Sequence, residues 1–268
     1  MEPLDQLAEL GGRVGAVPGA TATAIGFVLG AVIGSFLAAL LVRWPQGRSV
    51  LRGRSHCDRC GSALGLVDLV PILSWIWLRG RCRRCGGSID RRHLALEIGA
   101  ALIGLTAIFA HPLPLALFTA ILGWWLFLLA ALDAEYQWLP DRLTLPLLLA
   151  GLLVGMIGFG PALEARLIGA GAGYLAPAGI AMAYRALRGR DGLGGGDPKM
   201  LAAIGAWLGW MQLPFVLLLA GLAGLAALLA KRLRGGEVRA TERLPLGTLM
   251  ALAAWPIWLV TAGLVAGG

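Results

Sequence analysis

Apolar positions in this chain fall into unbroken blocks, without the strict alternation of strands or the one-sided stripes of water-soluble helices. Eight blocks stand out, at 21–42, 93–110, 115–132, 143–159, 163–187, 200–213, 214–230 and 244–265. An apolar block of roughly 20 residues matches the length of a helix crossing a bilayer. Backbone in hydrocarbon must satisfy its own hydrogen bonds, which selects helices for such runs. The expected fold is therefore all-α, a polytopic membrane bundle of about eight transmembrane helices. Between the blocks, His111-Pro112-Leu113-Pro114 and Gly160-Pro161 read as tight turns, and longer polar links occupy 43–92, 133–142, 188–199 and 231–243. Glycine, at 40 residues, suits close helix packing in lipid, and Gly99, Gly104, Gly169, Gly171, Gly173 and Gly205 are expected at helix contacts.

Composition removes the soluble alternative. The 268 residues are 58% hydrophobic and only 14% charged, far below the charge of a soluble domain. The net charge is +8, and nearly all the Lys and Arg sit in the four polar links, whereas the turns near 111–114, 160–162 and 213–214 carry none. Only Arg13 and Arg166 fall on or near the opposite side. This is the positive-inside pattern. It predicts an N-terminus outside, the four links in the cytosol and an even number of spans. The charge is thus a topology signal, and the lipid bilayer, not nucleic acid, is the expected partner. Glu2, Asp5 and Glu9 do not make the basic start of a cleavable signal, so the first block is expected to be a retained helix. Three regions follow: 1–44 with the first helix, 45–92 as a cytosolic loop, and 93–268 as the remaining bundle.

The loop holds Cys57-Asp58-Arg59-Cys60 and Cys82-Arg83-Arg84-Cys85, separated by 21 residues, each pair followed by a glycine, Gly61 or Gly86. Disulfides are disfavoured in the cytosol, and four thiolates so spaced suit tetrahedral zinc. With every ligand position filled by sulfur, the metal is expected to be structural. The few apolar residues of the loop make too small a core to fold alone, which a metal staple would remedy. The stretch Asp68-Leu69-Val70-Pro71-Ile72-Leu73-Ser74-Trp75 suits the headgroup zone, with tryptophans as anchors. His56 adjoins Cys57 and could compete as a ligand.

Two acids at the inferred cytosolic border carry the candidate chemistry. Asp133 ends the third block. Asp197 follows Gly194-Gly195-Gly196 and precedes Pro198 and Lys199. Acids at such a border are costly and commonly functional. Two at one depth can share a proton, one activating water and the other protonating a carbonyl oxygen or leaving amine. The same residues also read as helix caps: Asp141 before Arg142-Leu143-Thr144, and Asp197 with Pro198 at the next position.

Gly194-Gly195-Gly196-Asp197-Pro198-Lys199-Met200-Leu201 resembles the GxGD motif of intramembrane aspartyl proteases, in the form found in type IV prepilin peptidases. Asp133 with Leu139-Pro140-Asp141-Arg142-Leu143-Thr144-Leu145-Pro146 resembles that family's other aspartate box. Gly34-Ser35-Phe36-Leu37, the two CxxC units, Asp68-Leu69-Val70-Pro71 and Glu97 resemble the bifunctional members. The resemblance spans about residues 30 to 210 and implies several things. Asp133 and Asp197 would be catalytic, with Asp141, Gly194, Gly196 and Lys199 supporting, and Asp141 remains an alternative partner for Asp197. Cys57, Cys60, Cys82 and Cys85 would hold the zinc. Substrates would be type IV prepilins or type II secretion pseudopilins at a bacterial inner membrane, with S-adenosylmethionine donating a methyl group to the new N-terminus. Ala38 stands where the family usually has Asn, and no Rossmann-type glycine loop accompanies the cysteines. Two other classes share some of these features: a zinc-stapled transporter or scaffold, and a GxGD protease for other membrane proteins. Arg79, Arg81, Arg83, Arg84, Arg91 and Arg92 are expected to contact anionic headgroups. Glu97 is expected to pair with a loop arginine, and the tryptophans to anchor helix ends.

Overall fold

A computed structural model describes residues 19–50, 55–189, 192–237 and 244–265. Arg13, Arg54 and the acids of the N-terminal segment lie outside them. Eight longer helices appear at the eight apolar blocks: α1 (Ala20–Arg43), α3 (Arg91–Ala110), α4 (Leu115–Tyr136), α5 (Asp141–Met156), α6 (Leu163–Arg188), α7 (Asp197–Leu208), α8 (Leu213–Leu233) and α9 (Leu246–Val265), with the five-residue α2 (Leu73–Trp77) in the cysteine loop. Among the described residues no strand forms; only isolated bridges occur, in the cysteine loop.

Among the described residues six helices are long and apolar enough to cross a membrane: α1, α3, α4, α6, α8 and α9. The other two of the eight, α5 and α7, are shorter. At 1.5 Å per residue, the 16 residues of α5 reach about 24 Å and the 12 of α7 about 18 Å, against roughly 30 Å of hydrocarbon. The short α7 has no lipid to match, because every residue from Met200 to Leu208 is buried.

The main core surrounds α7. Met200, Ile204 and Trp207 join Leu122, Leu126 and Leu129 of α4, Leu147 of α5 and Met250 and Trp258 of α9. A smaller cluster joins α1, α3 and α4 through Leu37, Leu41, Leu96, Leu128 and Leu132. The expected close contacts occur at Gly104, Gly169, Gly173 and Gly205, where an added methyl would lie within 2.6 Å of a facing carbonyl oxygen. Gly99 meets the Phe127 ring, whereas Gly171 faces open space, contrary to expectation. The tryptophans also divide. Trp207 and Trp258 are buried and meet edge to face at 5.5 Å. Their indole nitrogens donate to Leu147 O and Thr119 Oγ1, so these two fill the core and do not anchor an interface.

The positive charge that broke the topology pattern is wholly buried. The Arg166 guanidinium donates to the carbonyls of Pro161 (2.9 Å), Gly151 (2.7 Å), Ala206 (3.0 Å) and Phe159. It lies 5.9 Å from the Trp258 ring centre. Five donors in a rigid fork let one arginine answer several carbonyls, and here it ties the α5–α6 turn to α5 and to the C-terminal end of α7. Arg166→Leu removes the donor from the turn carbonyls and from Ala206 O at a cost of about 3 kcal/mol or more, and Arg166→Lys, lacking the fork, recovers little of it. Thermal unfolding of the purified variants in detergent checks this: both are expected to unfold well below the wild type.

Candidate active site and metal centre

Asp133 lies in the last turn of α4, which stops when Gln137 takes a left-handed conformation (φ 48°). Its side chain is buried. The Thr248 backbone N–H donates to Asp133 Oδ2 at 2.7 Å, and the Thr248 hydroxyl lies 3.2 Å from the same oxygen. Both come from the first turn of α9, whose N–H groups have no acceptor within the helix.

Asp197 is the first residue of α7. The N-cap is Gly196, and no side chain caps this helix, so the capping expectation for Asp197 does not hold. Its carboxylate instead folds back on the glycine run: Oδ2 accepts the Gly194 N–H at 2.9 Å, and the Asp197 N–H donates to Gly194 O at 3.2 Å. A methyl on Gly194 would come within 2.9 Å of that carboxylate oxygen. Leu139 sits between the two aspartate turns. A methyl on Gly196 would meet Leu139 Cβ at 2.7 Å, and one on Gly247 would meet its Cδ1 at 2.8 Å. Asp197 precedes the apolar run of α7 and lies outside the six spans. Burial pushes its carboxyl up to about 6, opposed by the Gly194 N–H and reinforced by the charge of Asp133. The structure thus brings Asp133 and Asp197 to one end of the bundle.

Asp141 does not cap α5 either; the N-cap is Pro140. Its carboxylate binds the Lys199 ammonium at 2.6 and 2.8 Å. This pair links the start of α5 to the first turn of α7, two residues after Asp197.

The four cysteines come together as two copies of one turn. In each, the glycine after the second cysteine takes φ near +69°, where a side chain would be strained. Gly61 N donates to Cys57 O (2.8 Å) and Gly86 N to Cys82 O (2.9 Å). Cys57 N and Cys82 N return to Ser62 O (2.9 Å) and Gly87 O (2.8 Å). One ligand atom from each cysteine lies within 4.8 Å of all the others, and Cys57 and Cys85 sulfurs are 4.0 Å apart. Tetrahedral Zn–S bonds of about 2.3 Å put sulfurs about 3.8 Å apart, so the donor set fits such an ion. Hydrogen bonds from the Ser62 hydroxyl and backbone lower the Cys60 thiol, whereas the neighbouring cysteines and burial raise that of Cys85.

Two expectations for this lobe change. Glu97, buried in α3, accepts the Ile72 backbone N–H at 2.7 Å, not a loop arginine. Ile72 needs such an anchor, since it sits at φ 64° just before α2. Of the arginine cluster, Arg83 lies 3.1 Å from Asp68. Arg92 binds Asp90 (2.6 Å) and Glu135 (2.8 Å). The second of these ties the exit of the cysteine lobe to the α4 turn holding Asp133. The stretch expected in the headgroup zone leaves Leu69, Val70 and Leu73 exposed, with Ile76 and Trp77 exposed just beyond it. Sequence reasoning passed over Gly247 and Thr248, which read there only as the start of an apolar block.

Two family models match this chain: the bacterial peptidase A24 N-terminal domain over residues 28–111, and the type IV leader peptidase family over residues 120–229. The first range contains the four cysteines; the second contains Asp133, Asp141 and Asp197. The prepilin leader peptidase/N-methyltransferase of Dickeya chrysanthemi is 46% identical over 191 residues, covering 69% of this chain and 68% of that protein. Its namesake in Dichelobacter nodosus is 37% identical over 209 residues (78% and 71%). That of Aeromonas salmonicida strain A449 is 40% identical over 203 residues (75% and 69%). No solved structure matches.

Replacing Cys57 and Cys82 together with Ser removes one thiolate from each turn. Metal analysis of the purified variant is expected to fall from about one ion per chain, set by a four-sulfur site, to near none. Metal content equal to the wild type would rule out the cluster as the binding site.

Proposed function

The chain belongs to the type IV leader peptidase family, and we propose that it is a membrane aspartic endopeptidase acting on prepilins. It removes the leader of type IV prepilins or type II secretion pseudopilins at the cytosolic face of a bacterial inner membrane and methylates the new N-terminus. The observation that carries the reading is the pair Asp133 and Asp197, on two turns joined by Leu139 at one end of an apolar bundle. The basic links supply the orientation, with the N-terminus outside and the aspartates near the cytosol.

Burial raises the Asp197 carboxyl above the ordinary aspartate range, and Asp197 is assigned as the general acid. Asp133 is the base. Water attacks the scissile carbonyl carbon, giving a proton to Asp133 while Asp197 protonates the carbonyl oxygen. The resulting diol returns one hydroxyl proton to Asp197 as the C–N bond breaks. The leaving amine takes its proton from Asp133, and both carboxyls are restored. The glycines before Asp197 leave room for an extended substrate backbone. The apolar segment of the substrate stays in lipid against the bundle, so the cut falls just before it. The Asp141–Lys199 pair holds the start of α7 in register with α5.

The metal in the four-cysteine centre is zinc, and it is structural, since sulfur fills all four positions. Bound S-adenosylmethionine supplies the methyl group. The lobe itself offers one donor for it: among the described residues the buried Trp75 indole nitrogen has no hydrogen-bond partner, so it is available to a polar ligand.

Cleavage of a prepilin in membranes tests the dyad. Asp133→Asn and Asp197→Asn are each expected to lower the rate by at least about 100-fold, the usual worth of a general acid or base. Asp141→Asn should retain most activity. An Asp197→Asn variant that still cuts would refute the mechanism, and loss in Asp141→Asn beside activity kept in Asp133→Asn would reassign the base. Mass spectrometry of the mature product after adding S-adenosylmethionine should show one added methyl group at the N-terminus; an unmodified terminus would leave a peptidase alone.

A further inference from the structure

We infer that Gly247 and Thr248 are positioning residues for the Asp133 carboxylate, so that α9 completes the hydrolytic site. This rests on the reading of Asp133 as the base. Both residues lie beyond the range matched by the peptidase family model, on a helix that the two aspartate motifs do not include.

Three observations converge. First, the two donors of Thr248 reach one oxygen only, Oδ2. Among the described residues Oδ1 accepts no hydrogen bond. A carboxylate held by one oxygen cannot spin about its Cβ–Cγ bond, and the other oxygen stays available for water. Second, the Thr248 hydroxyl has one proton and two acceptors in reach, Asp133 Oδ2 at 3.2 Å and Ala130 O at 2.9 Å. While Asp133 is charged, that proton serves the carboxylate. When Asp133 has taken the proton from water, the hydroxyl turns to Ala130 O. It is paired in both states, which avoids leaving a polar group buried without a partner. The bond that forms is O–H···O=C to Ala130, the one that breaks is O–H···Oδ2, and no proton leaves Thr248. Third, α9 can come this close only because position 247 lacks a side chain. A methyl there would lie 3.0 Å from Oδ2 and 3.1 Å from the Asp133 carboxyl carbon.

The test is steady-state cleavage of a prepilin by the full chain in detergent–lipid micelles. Thr248→Val keeps the shape and the backbone N–H but removes the hydroxyl. It is expected to lower kcat about 10-fold with KM unchanged, the loss of one hydrogen bond to a charged group. Thr248→Ser should return kcat to within about twofold of wild type, since it restores the donor. Gly247→Ala, which pushes the carboxylate out of line, should lower kcat more than Thr248→Val does. Thr248→Ala serves as a second hydroxyl-free variant should the valine disturb folding, and unfolding temperature and metal content report the fold of each. Wild-type kcat in the hydroxyl-free variants, beside an inactive Asp133→Asn, overturns this inference alone. So does a loss that Thr248→Ser does not recover. An Asp133→Asn that still cuts overturns the proposed base and this inference together.

Discussion

A charged or polar group inside an apolar bundle has to be given its hydrogen bonds by the protein, because neither lipid nor water will supply them. Much of this molecule follows from that constraint. Asp133 takes donors from the open end of α9, and Asp197 takes one from its own glycine turn. Arg166 gives donors to carbonyls of α5, of the turn after it and of the end of α7. Glu97 accepts the N–H of Ile72, a residue in a backbone conformation few side chains tolerate. The groups that hold the fold and those proposed to do chemistry are built the same way, from helix ends facing one another across the core.

The same constraint separates what the sequence disclosed from what it hid. Among the described residues, apolar blocks and turn residues located the eight longer helices, since block length and proline are local properties. They did not distinguish α7 as a buried helix, because apolar residues look alike whether they face lipid or protein. The cysteine turns were legible for a similar reason, as each CxxC followed by glycine carries its geometry within a few residues. The positive φ values at Gly61 and Gly86 are what that spelling requires. Thr248 was invisible, being 115 positions from the carboxylate it serves. Glu97 was read as a partner for an arginine because side chains can be listed from a sequence, whereas a stray backbone N–H cannot.

The cysteine lobe is not a detached module. Glu97 fastens it to the second turn of α3, and Arg92 ties its exit to Glu135, two residues beyond Asp133. Arg92 and Glu135 are partly exposed, so this tie is weak as a source of stability. Its value is geometric: it joins the metal-held turns to the end of the bundle where the aspartates lie. A single bound chain end could therefore meet hydrolysis and methyl transfer without crossing the membrane.

The reliance of Asp133 on Thr248 also has a consequence for how the protein is made. Asp133 emerges from the ribosome 115 residues before its donors. Until then α4 carries an acid with nothing to meet it. The short α7 likewise cannot settle until its neighbours enclose it. A partly synthesised chain in the membrane thus has its aspartates but no aligned site. On the proposed reading of Asp133, arrival of α9 completes the site, the part that removal of a propeptide plays in secreted proteases.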